Sequence, residues 1–147
     1  MKISELITGL RHIGIVVENI HVAVQMYTKI FDIDDTTIQY VPPIEEPAPD
    51  TRFAFVPIGN TELELIEPIS EWFKQFLGNP RPGINHIAFT VTNIDAAVAL
   101  MQAKGVRLGH VTRDGILDMK RSRVAYFNPE DTGGILIEFV QPGEKPS

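Results

Sequence analysis

Leu10-Arg11-His12-Ile13-Gly14-Ile15-Val16-Val17-Glu18-Asn19-Ile20 decides how this chain folds, because it returns as Ile84-Asn85-His86-Ile87-Ala88-Phe89-Thr90-Val91-Thr92-Asn93-Ile94. The copies lie 74 residues apart, and from position 12 to 24 the offset leaves 7 of 13 residues identical. Carried on without a gap, it sets Gly59 on Gly133, Glu64 on Glu138 and Pro68 on Pro142. Twice that offset is close to the full 147 residues, so an internal duplication accounts for nearly the whole chain.

Each copy opens on an alternating, Ile- and Val-rich run that reads as a strand, with His12, Gly14 and Val16 on one face and Ile13, Ile15 and Val17 on the other. Asn19 is placed to cap a helix whose apolar positions are Ile20, Val24, Tyr27, Ile30 and Phe31. Residues 36–41 read as a strand, and the proline-rich segment 42–50 as a loop. Residues 53–58 and 61–66 form a hairpin about Gly59-Asn60. The second half repeats the order: a strand at 84–92, a helix from Ile94 to Lys104 closed by Gly105, a strand near 106–111, a polar loop to Lys120, and strands at 121–127 and 135–140. We therefore expect one domain over 1–147, with module 1 at about 8–68, a linker helix within 69–83 and module 2 at about 84–142. Trp72 and Phe73 on the linker helix are core or interface residues, and Gly143 to Ser147 is a loose tail.

Composition removes several functional classes. A formal charge of −6 disfavours nucleic acid as a partner, since phosphate contacts need surplus Lys and Arg. The absence of cysteine rules out disulfides, thiolate metal sites and a thiol nucleophile. No apolar run approaches a membrane span and no signal-like segment opens the chain, so a cytoplasmic location is expected.

The residues that carry chemistry recur in phase. His12 and His86 each lie near the start of a module's first strand, and Glu64 and Glu138 mid-way along its last. In 61–66 the side chains alternate, so Leu63 and Leu65 point to the core and Glu64 the other way; Glu138 shares its side with Leu136 and Val140. A carboxylate among apolar neighbours is costly unless it is paired or binds a cation. Should the modules close on each other, two imidazoles and two carboxylates meet, a set suited to cobalt, nickel, zinc or manganese. Taken singly, a histidine in such a place is more often a hydrogen-bonded structural residue; the repetition turns the balance to the metal. His21 and His110 lie outside the repeat and read as surface residues.

At these residues the chain resembles the vicinal oxygen chelate (glyoxalase/bleomycin resistance/dioxygenase) superfamily. Within it, the pattern is most similar to the methylmalonyl-CoA epimerases. The resemblance runs from about residue 10 to 141 and is carried by the two histidine strands, by Gly59-Asn60-Thr61-Glu62-Leu63-Glu64-Leu65-Ile66-Glu67-Pro68, and by Asn128-Pro129-Glu130-Asp131-Thr132-Gly133-Gly134 with Leu136-Ile137-Glu138. It implies an α+β fold in which tandem βαβββ modules pair into one open, incomplete β-barrel with the helices outside. His12, Glu64, His86 and Glu138 fall on the family's metal positions.

That likeness implies a metal-dependent isomerase that epimerises a 2-methylmalonyl-CoA-like acyl thioester by removing the C2 proton and stabilising the enolate. Glu138 would be both ligand and acid/base, with Glu45 or Glu46 serving the opposite face; the alternative for Glu45-Glu46 is a solvated acidic loop. Arg113, Lys120, Arg121 and Arg123 are candidates for a substrate phosphate or carboxylate, or simply solvated charges. The same ligand set also resembles glyoxalase I, a lactoylglutathione lyase, and a third reading is a non-catalytic small-molecule binding protein of this fold. Dimers are common in the family, so a homodimer is expected. The chain departs from the epimerase pattern at Pro47-Ala48-Pro49-Asp50 and at the loop 113–120, where a Gly-rich, His-containing segment is expected.

Overall fold

The structure, a computed structural model, describes residues 1–119 and 121–143. Lys120 and the tail beyond Gly143 lie outside the described residues. In chain order the elements are α1 (Ile3–Leu6), β1 (Ile7–Val16), α2 (Ile20–Phe31), β2 (Gln39–Val41), β3 (Thr51–Ile58), β4 (Thr61–Pro68), α3 (Glu71–Leu77), β5 (Gly83–Val91), α4 (Ile94–Ala103), β6 (Leu117–Asp118), β7 (Ser122–Phe127) and β8 (Leu136–Pro142). The class is α+β, and the order βαβββ occurs twice. Two compact units form, one from His12–Asn85 and the other from Met1–Arg11 together with the chain from His86 on. No helix among the described residues is long and apolar enough to cross a membrane.

In the His12–Asn85 unit, β1 runs parallel to β4 with Ile13 opposite Leu63 and Gly14 opposite Glu64, while β3 pairs antiparallel with β4 and β2 with β3. Parallel neighbours cannot be joined by a tight turn, so the chain crosses over through α2 and the β2–β3 pair before returning as β4. One sheet face packs on α2, where Ile20, Val24, Ala54, Val56 and Leu65 are buried together. The opposite face carries His12, Gly14, Val16, Glu64 and Ile66. Its far end is closed by Phe73 of α3 against Val16 and Ile66. Trp72 is exposed.

The other unit repeats this plan. β5 runs parallel to β8 with Ala88 opposite Glu138, β7 pairs antiparallel with β8, and β6 with β7. The first part of β1 lies beside β5, with the Thr92 N–H donating to the Leu6 carbonyl at 2.9 Å. Helix α4 covers one face through Ile94, Ala97 and Val98, packed with Val91, Ala125, Phe127 and Phe139.

Both long helices start in the same way. Asn19 accepts from the N–H groups of His21 and Val22, and Asn93 accepts from that of Ala96. The first donor of each helix is met from the last strand: Glu67 Oε1 accepts the Ile20 N–H at 2.7 Å, and Gln141 Oε1 the Ile94 N–H at 2.8 Å. These acceptors are themselves 74 residues apart, so the duplication extends to a bond that ties each helix start to its closing strand.

Several expectations are corrected. Residues 36–38 do not extend the strand: Asp34 caps a short 3-10 turn at Asp35–Thr37, and its side chain takes both the N–H and the hydroxyl of Thr36. The strand near 106–111 is reduced to one bridge between Leu108 and Phe127, followed by a 3-10 turn at His110–Thr112. There a side-chain hydroxyl, that of Thr112, replaces a backbone ladder. Ile30 and Phe31, although at apolar positions of α2, are more than half exposed, and the short α1 is not foreshadowed by the sequence pattern.

Replacing Glu67 or Gln141 with alanine leaves a buried helix-start N–H without its acceptor. Each variant should lose about 1–3 kcal/mol, read as a lower urea midpoint at unchanged slope.

Candidate metal centre

Parallel pairing of first and last strands sets the geometry. In register, Glu64 stands opposite Gly14, and His12 lies two residues earlier on the same face of β1. Glu138 likewise stands opposite Ala88, with His86 two residues earlier on β5. The residue between each pair is glycine or alanine, so no bulky side chain separates imidazole from carboxylate. His12 Nε2 stands 3.6 Å from Glu64 Oε1, and His86 Nε2 stands 3.3 Å from Glu138 Oε1.

Both pairs are withdrawn from solvent. His12 is 8% exposed, His86 3% and Glu138 4%; the Glu64 side chain retains 13%. Around the first pair stand Phe55, opposite Glu64 on β3, and Phe53 one step along. Around the second stand Ala88, Val124 and Val140, with Tyr126 directly opposite Glu138.

The donor chemistry fits a cation. Two ligands bound to one ion at about 2.1 Å, in tetrahedral or octahedral positions, stand about 3.0–3.4 Å apart; both spacings are within a few tenths of an ångström of that range. A direct N–H···O bond is shorter, about 2.7–3.2 Å. Nitrogen and carboxylate oxygen together suit a divalent first-row metal.

The other expected residues are placed differently. Glu45 and Glu46 are exposed on the 42–50 loop. That loop turns through a bond from the Glu46 N–H to the Pro43 carbonyl, and the Arg52 guanidinium donates to the carbonyls of Pro43 and Glu46. Arg113 and Arg121 are exposed, as are His21 and His110. Arg123 is committed within the protein: it bonds Asp95 at the start of α4 and Asp118 on β6. Sequence reasoning missed Tyr126, although its place two residues after Val124 on an alternating strand puts it on the Glu138 side. It also missed Thr112, for which the sequence carries no signal.

A family model described as the Glyoxalase/Bleomycin resistance protein/Dioxygenase superfamily matches residues 11–126, and the chain belongs to that superfamily. More narrowly, it is similar to the ethylmalonyl-CoA/methylmalonyl-CoA epimerase of Cereibacter sphaeroides, 29% identical over 140 residues, covering 92% of this chain and 99% of the relative. The crystal structure of methylmalonyl-CoA epimerase from Mycobacterium tuberculosis superposes with a TM-score of 0.70 at 30% identity, covering 95% of this chain and 91% of that one. A variant of the Streptomyces coelicolor methylmalonyl-CoA epimerase in complex with 2-nitronate-propionyl-CoA superposes with a TM-score of 0.68 at 25% identity, covering 95% and 99%. The chain is accordingly an enzyme, an isomerase of the epimerase type.

Arg123 holds the Asp95 carboxyl below its ordinary range, chiefly through their hydrogen bond. A depressed carboxyl stabilises the fold above its unfolded pKa of about 3.9 and ceases to do so as pH falls through the lower folded value. Asp95→Asn should therefore melt below wild type at pH 7, with the gap closing progressively below about pH 4.

Proposed function

We propose that this chain inverts the configuration at C2 of a 2-methylmalonyl-CoA-like acyl thioester, with His12, Glu64, His86 and Glu138 holding one divalent cation between them. The observation that carries this reading is a buried imidazole–carboxylate pair written twice, in a chain similar to acyl-CoA epimerases. Cobalt, nickel, zinc or manganese suits the set; once bound, the ion stabilises negative charge developing on the substrate's carbonyl oxygens as the C2 proton leaves.

Inversion needs two proton-handling groups, since a proton removed from one face must be returned on the other. Glu138 is the first, its carboxylate set among Val140, Val124 and Tyr126 where water is sparse. Glu45 or Glu46 is the second, carried on a loop whose backbone Arg52 pins. A homodimer belongs to the same reading. The exposed Trp72 ring, stacked on Phe76 at 5.5 Å, supplies apolar surface for it, and sedimentation at two concentrations tests it.

In deuterated buffer the purified protein should exchange the C2 proton of methylmalonyl-CoA, lose that activity to a chelator and regain it with added metal. It should leave the methylglyoxal–glutathione hemithioacetal unchanged. Glu138→Ala should lose bound metal and turnover together. Of Glu45→Gln and Glu46→Gln, one should retain metal but slow turnover by about 10²–10⁴-fold. Exchange that survives complete metal removal, or turnover of the hemithioacetal in its place, would overturn the reading.

A further inference from the structure

Beside the His86–Glu138 pair, β7 is held in an unusual way. At Tyr126 the strand has β8 on one side, while β6 pairs only with Arg123 and Val124 on the other. Next to the single Leu108–Phe127 bridge, the Tyr126 N–H is met by a side-chain hydroxyl. Thr112, 1% exposed, accepts the Tyr126 N–H through Oγ1 at 2.9 Å and donates to the Tyr126 carbonyl at 2.9 Å. The Gly109 N–H donates to the same carbonyl at 2.7 Å. A Cβ on Gly109 would come within 3.1 Å of the Phe127 carbonyl oxygen, so glycine permits this close approach. One buried hydroxyl thereby does for a single residue what a neighbouring strand does for a ladder.

The residue so held stands beside the His86–Glu138 pair. The backbone N–H and carbonyl of Tyr126 point to Thr112 and Gly109, away from β8, so Tyr126 and Glu138 form a non-hydrogen-bonded cross-strand pair, the kind whose side chains approach most closely. The Tyr126 ring meets the His86 imidazole nearly edge to face, 5.7 Å between centroids and 77° between planes, an arrangement the ring quadrupoles favour. One residue thus stands directly opposite Glu138 and presents its ring to His86.

We infer that Thr112 and Tyr126 are positioning residues for His86: the Thr112 hydroxyl fixes Tyr126 in β7, and the Tyr126 ring sets the imidazole plane from which Nε2 meets Glu138. This rests on the reading of His86 and Glu138 as metal ligands. Groups that orient a ligating histidine preorganise it, and their loss typically weakens metal binding by roughly 10–100-fold. The 3-10 turn carrying Thr112 leads directly into the segment 113–119, so the orientation of a ligand is tied to the placement of that loop.

The test is Co²⁺ binding to the full chain, followed by titration and by the visible absorption band of the bound ion, with urea unfolding as a check on the fold. Thr112→Val and Tyr126→Leu should each weaken Co²⁺ binding by roughly 10–100-fold and alter the band. Thr112→Ser and Tyr126→Phe, which keep the hydroxyl clamp and the ring, should stay within about threefold of wild type. Should Thr112→Val fail to fold, the Tyr126→Leu and Tyr126→Phe comparison decides alone. Wild-type affinity and spectrum in Tyr126→Leu, or in a folded Thr112→Val, would overturn the inference while leaving the metal site standing; failure of the wild-type protein to bind Co²⁺ would overturn both.

Discussion

Each repeat depends on one constraint, the parallel pairing of its first strand with its last. Strands running the same way need a long crossover, and the helix and intervening strands supply it. Register then does the chemical work: Gly14 opposite Glu64 and Ala88 opposite Glu138 bring a histidine and a glutamate together over a small residue. A slip of one position would send every side chain of the strand to the other face and bury the carboxylate against the helix. Apolar packing guards against that slip, because Leu65 and Ile15 on one strand pair, and Phe139 and Phe89 on the other, must meet α2 and α4.

The same strands also hold the helices. Glu67 and Gln141 reach from the end of β4 and β8 to the first N–H of α2 and α4, while Asn19 and Asn93 cover the next donors. A helix start would otherwise leave orphan donors beside a buried sheet. Because helix and last strand are joined at that point, the start of each crossover is fixed to the strand that closes it, and the face carrying histidine and glutamate gains a firm backing. Rigidity of that kind suits a site whose donors must keep an ion's spacing rather than find it on demand.

The two copies diverge where they meet solvent. In the His12–Asn85 unit the glutamate faces phenylalanines and keeps some exposure. In the other unit the glutamate is almost fully buried beside a tyrosine that a threonine hydroxyl secures. Under the proposed function that asymmetry would be useful, since a carboxylate that both ligates and moves a proton benefits from a dry setting, whereas one that only ligates does not need it.

Alternation and the 74-residue offset were sufficient, from the sequence alone, to locate the histidine strands, the asparagine-capped helices, the hairpin about Gly59-Asn60 and the four candidate ligands, because those features follow from local periodicity and from the sequence being written twice. Tertiary structure alone decided the rest. Residues 106–111 look strand-like but keep only a bridge at Leu108 before the 3-10 turn at His110–Thr112, where the Thr112 hydroxyl meets the β7 backbone in place of a ladder. Ile30 and Phe31 match the apolar stripe yet lie open, and Arg123 is taken up by Asp95 and Asp118. Those outcomes depend on which polar and apolar groups from distant parts of the chain meet, and no local pattern encodes the partner.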